Sequence, residues 1–140
     1  METIAARIVA SGGAGLFFDY GHLAPAVGDT LQALYRQAYD DPLAHPGEAD
    51  LTSHVDFAPL AAVAAAHGLC TGTMTQGDFL LEMGLLSRAG SLGAGKDEAT
   101  QERLRREAAR LAGPDEMGNL FKVLAVFPQG RPVYPFASAD

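Results

Sequence analysis

Polar side chains stand at the ends of two apolar segments of the chain, where they could bind or position a substrate. The segments run from Gly15 to Tyr20 and from Leu69 to Met74, and each is typical of a buried strand. Open α/β sheets bind ligands at the carboxyl ends of such strands. The candidate site residues at these ends and between them are Asp19, Tyr20, Gly21, His22, Asp50, Thr52, Asp56, Thr75 and Gln76.

Two of these carboxylates also have a structural interpretation. A carboxylate at the end of a buried strand is costly unless it is hydrogen-bonded or lies in a cleft. Asp19 therefore either belongs to a site or caps a nearby loop or helix. Asp56 directly precedes an apolar helical pattern that begins at Phe57, and Asp is favoured at the position before a helix. We expect Asp56 to be a helix cap.

Residues for metal or nucleophilic chemistry form no recognisable motif. The four histidines are scattered, and neither an HxxxH nor a CxxC pattern occurs, so no metal site is expected. Cys70 lies in an apolar stretch and is expected to be a small buried residue. The glycine-rich segment 90–95 lacks the Gly-Lys-Ser/Thr of a phosphate-binding loop. No residue can be assigned as the catalytic base or nucleophile.

The net charge of −7 separates this chain from proteins that bind nucleic acids. Those proteins carry a basic stripe that neutralises phosphates, and none is visible here. Between Asp19 and Asp56 there are seven acidic residues, and Arg36 is the only Lys or Arg. This acidic segment is either a solvated loop or a surface for a basic partner. No apolar run reaches the length of a membrane span and no signal peptide is recognisable, so no membrane partner is expected and the expected location is cytoplasmic.

The composition and the hydrophobic pattern together predict an α/β fold. Of the 140 residues, 48% are hydrophobic and 19% are charged, as in ordinary globular proteins. Three main strands are predicted at 15–20, 69–74 and 119–127. The strand at 15–20 is too apolar for an exposed sheet edge, so another element should cover it.

Helical periodicity and turn residues divide the rest of the chain. The expected domain spans 1–128, and the expected loose C-terminal tail spans 129–140. A short strand is expected within 30–39, in an otherwise loop-like region. Helices are predicted at the start of the chain and over 56–67, 78–87 and 96–111, with a break at 91–95.

Several short motifs occur in a characteristic order and span most of residues 2–127. They are FDYGH (18–22), GDTLQ (28–32), DPL (41–43) with PG (46–47), ADLTSHVDF (49–57), TQGDFL (75–80) and MGNLFKVL (117–124). The pair ADLTSHVDF and TQGDFL is the most specific part. Together these motifs resemble the MidA-like family of S-adenosylmethionine-dependent methyltransferases.

The resemblance implies the class I methyltransferase fold, a Rossmann-like sheet whose final strand is antiparallel. It covers only the C-terminal part of that fold, in which 15–20, 69–74 and 119–127 would be the fifth, sixth and seventh strands. The seventh would insert between the other two, antiparallel to both, and a missing fourth strand would cover 15–20. The implied cofactor is S-adenosylmethionine. Its binding residues are expected in the absent N-terminal half, so the isolated chain is expected to be inactive.

The resemblance also implies a protein substrate. The mitochondrial member of the family resembles a protein arginine methyltransferase that acts on a subunit of respiratory complex I. Methyl transfer is an in-line displacement in which positioning supplies much of the rate, and carboxylates can hold a guanidinium by bidentate hydrogen bonds. The acidic segment suits that task. The implied substrate-binding residues are Asp19, Tyr20, Gly21, His22, Asp50, Thr52, Thr75 and Gln76.

A non-catalytic interaction domain derived from the same fold is the alternative hypothesis. Such a domain would have to cover the strand at 15–20, either by dimerising through it or by pairing it with another chain. The expected partners therefore include the missing N-terminal half or a second copy of this chain.

Overall fold

A computed structural model describes residues 1–25 and 27–136 as a four-stranded sheet, a smaller three-stranded sheet and six helices. The strands are β1 (Gly15–His22), β2 (Gln32–Tyr35), β3 (Ala38–Asp40), β4 (Asp50–Thr52), β5 (Val55–Asp56), β6 (Leu69–Thr75) and β7 (Phe121–Pro128). The helices are α1 (Glu2–Ser11), α2 (Phe57–Ala66), α3 (Gln76–Glu82), α4 (Leu85–Gly93), α5 (Glu98–Ala112) and α6 (Met117–Leu120).

The main sheet has the strand order β5-β1-β7-β6. The last strand, β7, lies between β1 and β6 and runs antiparallel to both. This arrangement confirms the predicted insertion of the final strand. The third strand begins at Phe121 rather than 119, because residues 117–120 form the short helix α6.

The central strand β7 carries most of the hydrophobic core. Its residues from Val123 to Phe127 are fully buried. Because side chains alternate along a strand, Leu124 and Val126 pack towards α1 and α2, while the other three face the opposite side. On that side they pack with Phe79 of α3 and with Phe136. Both faces of β7 are therefore covered.

Part of the segment expected to be a loose tail packs against the main sheet. Residues 129–136 contain no helix or strand, yet Phe136 is only 4% exposed. Its ring stacks on the ring of Phe79 with a centroid distance of 5.9 Å. It also packs against Gly72 of β6, where a Cβ would overlap the ring. The hydroxyl of Tyr134 donates to the carbonyl oxygen of Glu82 at 3.0 Å. Residues 137–140 lie outside the described residues.

The region expected to hold one short strand forms the three-stranded sheet β3-β2-β4 instead. The hairpin between β2 and β3 turns at Arg36 and Gln37, which have φ angles of 50° and 68°. Two successive positive φ values match the right-handed twist of a two-residue hairpin. The turn was missed because Arg and Gln rarely adopt this conformation, and Asn-Gly is the usual signal.

The helix predicted over 78–87 is in fact two helices, α3 and α4. They separate at Gly84, which has a φ of 83° and therefore cannot continue a right-handed helix. The break predicted at 91–95 is also displaced, because α4 continues to Gly93.

Strand β1 has a free edge over most of its length. It pairs with β5 in parallel only through Gly21 and His22. Residues 15–20 have no strand neighbour on that side within the described part of the chain. The side chains of Leu16 and Phe18 remain 43% and 44% exposed. An apolar strand with this much exposed backbone and side chain ordinarily has a partner.

Candidate functional site

The carboxyl ends of β1 and β6 meet at one end of the main sheet. Lys122 at the start of β7 is directly opposite Asp19 of β1 on one side and Thr75 of β6 on the other. Neighbouring strands are about 5 Å apart, so Asp19 and Thr75 are separated by about 10 Å across the sheet. The structure therefore brings these two candidate residues into one row.

Tyr20 is held by rings from two other parts of the chain. Its ring meets Phe121 and His54 edge-on, with centroid distances of 5.6 and 5.7 Å. Its backbone N–H donates to Oδ1 of Asp19 at 2.9 Å, so the Asp19 carboxylate is partly occupied by its own strand. The contribution of His54 was not predicted, because this contact depends on how the acidic segment folds back onto the main sheet.

Gly21 and His22 lie where β1 touches β5. A Cβ on Gly21 would overlap the carbonyl oxygen of Val55, so this position requires glycine. Nε2 of His22 lies 3.8 Å from Oδ1 of Asp56. The same Oδ1 accepts a hydrogen bond from the N–H of Ala58 at 3.1 Å, which confirms that Asp56 caps α2.

Thr75 and Gln76 take part in contacts that stabilise the fold. The hydroxyl of Thr75 accepts from the N–H of Asp78 at 3.1 Å and so caps α3. Gln76 is only 7% exposed, and its Nε2 donates to the carbonyl oxygen of Leu111 at 2.8 Å. The amide of Gln76 thereby joins the start of α3 to the end of α5.

Asp50 and Thr52 belong to the smaller sheet and not to the row at the end of the main sheet. They lie on strand β4, where Asp50 is opposite Leu34 and Thr52 is opposite Gln32. Strand β5 follows almost directly and joins β1, so the smaller sheet is anchored beside the carboxyl end of β1.

Lys122 is a charged residue of this region that sequence analysis did not single out. Its Nζ donates to the carbonyl oxygens of Asn119 and Leu120, at the end of α6. Partial burial lowers the pKa of this ammonium group. A lone lysine in an otherwise apolar strand was the available signal in the sequence.

Two glycines lie at the carboxyl ends of main-sheet strands, Gly21 near the end of β1 and Gly77 just after β6. The space beside Gly21 is filled by Val55, and a Cβ on Gly77 would lie 2.7 Å from the carbonyl oxygen of Ala112. Both glycines therefore allow close packing of the protein backbone at these positions.

Residues 1–25 and 27–136 contain neither a metal-binding cluster nor a membrane-spanning helix. No three His, Cys, Asp or Glu side chains there converge as a metal site. None of the helices in that part combines the length and the apolar character needed to cross a membrane.

The chain is similar to proteins named as protein arginine methyltransferases. A protein arginine methyltransferase NDUFAF7 homolog from Drosophila melanogaster, named as mitochondrial, is 39% identical over 127 residues, which are 89% of this chain and 29% of the relative. Its counterpart from Danio rerio is 35% identical over 94% of this chain and 31% of the relative. This chain thus spans less than a third of the length of these relatives.

Two solved structures from Burkholderia thailandensis share the fold. One protein, described as uncharacterized, has a TM-score of 0.77 and 29% sequence identity to this chain. The match covers 89% of this chain and 36% of the solved chain. A second, bound to S-adenosyl-homocysteine, has a TM-score of 0.70 at 28% identity over 89% of this chain and 35% of its own. The α/β fold expected from the sequence is therefore confirmed.

The expected cytoplasmic location is wrong. The curated relatives from Drosophila melanogaster, Danio rerio and Homo sapiens are all named as mitochondrial proteins. The expectation rested on the lack of a recognisable signal peptide, which does not distinguish the cytoplasm from an organelle.

The family resemblance of the sequence motifs is confirmed, because residues 1–75 match a known protein family. That family is described as "Putative S-adenosyl-L-methionine-dependent methyltransferase", and the match covers residues 1–75. More than half of the 140 residues are matched, and the chain therefore belongs to this family of S-adenosyl-L-methionine-dependent methyltransferases.

Proposed function

We propose that this chain forms the C-terminal part of a methyltransferase domain with a Rossmann-like, class I sheet that methylates a protein on arginine. The observation that carries the proposal is the insertion of β7, antiparallel, between β1 and β6. The relatives named as protein arginine methyltransferases support the substrate class. A subunit of respiratory complex I is the more specific substrate that we propose from the family resemblance.

The cofactor site belongs, on this proposal, to the part of the relatives that this chain does not span. The filled spaces beside Gly21 and Gly77 support this assignment. The free edge of β1 supports it too, because a further parallel strand beside residues 15–20 would cover Leu16 and Phe18. This chain then contributes the substrate side of the site.

The proposed substrate-binding residues fall into two groups. Asp19, Tyr20, Gly21 and His22 end β1, beside Thr75 and Gln76 at the start of α3. Asp50 and Thr52 lie on the neighbouring smaller sheet. A guanidinium group could be oriented by carboxylates at the end of β1.

A chimeric enzyme tests the proposal. The segment of the fruit fly relative that matches this chain is replaced by the 140 residues, and methyl transfer to the relative's protein substrate is measured with labelled S-adenosylmethionine. We expect the chimera to methylate arginine, and calorimetry to show that the 140 residues alone bind the cofactor with a Kd weaker than about 1 mM. Tight stoichiometric binding by the chain alone would contradict the assignment of the cofactor site.

The free edge of β1 also favours a second candidate function, a non-catalytic domain that pairs through residues 15–20. Sedimentation of the purified chain distinguishes the two. A stable dimer that dissociates when Phe18→Lys places a charge at the edge strand, together with an inactive chimera, favours the interaction domain.

A further inference from the structure

The smaller sheet has one closed face and one open face. Residues directly opposite each other in an antiparallel sheet point to the same side. Ala33 lies opposite Asp40 and Leu51, on the closed face. The loop 41–49 crosses that face, because Nδ1 of His45 lies 2.6 Å from Oδ2 of Asp40.

The open face consists of the side chains that alternate with those of the closed face. Leu34 lies opposite Tyr39 on β3 and opposite Asp50 on β4. Gln32 lies opposite Thr52 in the next row that points the same way. The open face therefore consists of Gln32, Leu34, Tyr39, Asp50 and Thr52.

Exposure differs most in the middle of the sheet. Ala33 on the closed face is 1% exposed, whereas Leu34 and Tyr39 on the open face are 37% and 78% exposed. At the edge of the closed face, Leu51 stays 58% exposed. A leucine and a tyrosine side by side on an uncovered sheet offer apolar area and a polar tip, and tyrosine is enriched where proteins bind one another. Both side chains are therefore accessible to a partner from outside the described residues.

The charge around the open face selects the kind of partner. Asp50 lies within the face, and the whole segment from Asp19 to Asp56 has seven acidic residues. Its one basic side chain, Arg36, lies over the Tyr35 ring, with Cζ 4.9 Å from the ring centroid, and keeps its positive charge. Because acidic side chains outnumber it, the net charge of this segment is negative, which favours a basic partner over an acidic one.

We propose that the open face docks a segment of a protein in which Arg or Lys residues stand next to large apolar residues. The apolar side chains contact Leu34 and Tyr39, and a cation pairs with Asp50. This inference rests on the proposed function, because the docked segment belongs to the protein that is methylated. The smaller sheet, anchored to β1 by β5, would hold that segment beside the end of β1.

Fluorescence anisotropy with labelled peptides tests the docking face on the 140-residue chain. The probe is a twelve-residue peptide of alternating Arg and Leu, at an ionic strength of about 0.15 M to limit long-range attraction. Comparison peptides replace Leu by Ser or Arg by Glu. We expect saturable binding of the Arg–Leu peptide only, weakened about tenfold by Leu34→Ser with Tyr39→Ser and several-fold by Asp50→Asn.

Matched variants control for general effects. Leu51→Ser removes an exposed leucine from the closed face of the same sheet, and Asp115→Asn removes an exposed carboxylate elsewhere. Both should change the affinity less than about twofold. Amide NMR spectra of every variant verify that the small sheet is folded.

Three results would overturn the docking face. The first is that the Arg–Ser peptide binds as tightly as the Arg–Leu peptide. The second is that Leu51→Ser weakens binding as much as the Leu34 and Tyr39 changes do. The third is that the chain forms a dimer which the Leu34 and Tyr39 changes dissociate, because the face would then bind a second copy of the chain. Because no cofactor is present, these results are independent of methyl transfer by the chimera. An inactive chimera with intact peptide binding would therefore count against the proposed function alone.

Discussion

Asp40 and His45 form the tightest side-chain contact of the smaller sheet, with Oδ2 and Nδ1 2.6 Å apart. The His45 ring also stacks on the ring of Tyr35 at a centroid distance of 4.0 Å. Through these two contacts the loop 41–49 covers the Ala33 and Tyr35 part of one face of the sheet and leaves the other face uncovered.

The first prediction concerns the pH dependence of this contact. The hydrogen bond with His45 lowers the pKa of the Asp40 carboxyl group below its ordinary value of 3.8. A lowered pKa in the folded state means that the contact contributes full stability above pH 3.8 and loses it as the pH falls through the folded pKa. The protection of the Ala33 amide against hydrogen exchange, taken relative to the intrinsic exchange rate at each pH, should fall over that range.

Asp40→Asn provides the control for the pH experiment. This variant cannot lose a proton at position 40, so its exchange at Ala33 should be faster at neutral pH and should lack the same acid-dependent step. An unchanged acid-dependent step in the variant would assign the effect to another group.

The second prediction compares two glycines. Gly21→Ala should separate β5 from β1, because the new Cβ would overlap the carbonyl oxygen of Val55. Overpacking of this kind costs about 1–3 kcal/mol. A Cβ on Gly90 of α4 would meet nothing within 4 Å, and this residue has no positive φ, so Gly90→Ala should stabilise by about 0.5–1 kcal/mol. Urea denaturation measures both changes.

The main strands were predictable because each is an unbroken apolar run. β1, β6 and β7 appear within a few residues of their expected bounds. The order of these strands came from the family resemblance, since three apolar runs alone do not specify which one lies in the middle. The free edge of β1 was also predictable, because no remaining part of the sequence was suited to cover it.

The details of the site depended on contacts between distant parts of the chain. Tyr20 contacts Phe121, about a hundred residues later, and His54 from a loop-like region. Gln76 binds a carbonyl group that is 35 residues away. Local patterns carry no information on such partners, so the sequence could nominate these residues but could not separate binding roles from structural ones.

The third prediction concerns the structural role of Gln76. Gln76→Leu should lower the free energy of unfolding by about 1–3 kcal/mol, because the buried carbonyl of Leu111 loses its donor. Gln76→Glu removes the same donor and adds a charge, so it should destabilise more. Chemical denaturation gives both values. A stable Leu variant whose chimera has lost activity would instead assign Gln76 to substrate binding alone.

The fourth prediction separates the two contacts of Asp56. Oδ1 caps α2 through the N–H of Ala58 at 3.1 Å, and it also lies 3.8 Å from Nε2 of His22. Asp56→Ala should cost about 1 kcal/mol, the usual loss when a helix cap is removed. Asp56→Asn keeps an oxygen that can cap the helix, so thermal unfolding should return close to that of the unaltered chain.

The Asn variant then isolates the charge beside His22, because it keeps the helix cap and removes the carboxylate that lies 3.8 Å from Nε2. Methyl transfer by the chimera, measured with the unaltered sequence and with Asp56→Asn, tests whether that charge takes part in the site. We expect the Asn chimera to lose several-fold in rate while its thermal unfolding is nearly unchanged. If the Asn chimera keeps full activity while Asp56→Ala still destabilises α2, Asp56 acts as a helix cap only. The His22–Asp56 pair would then have no part in the proposed substrate site at the end of β1.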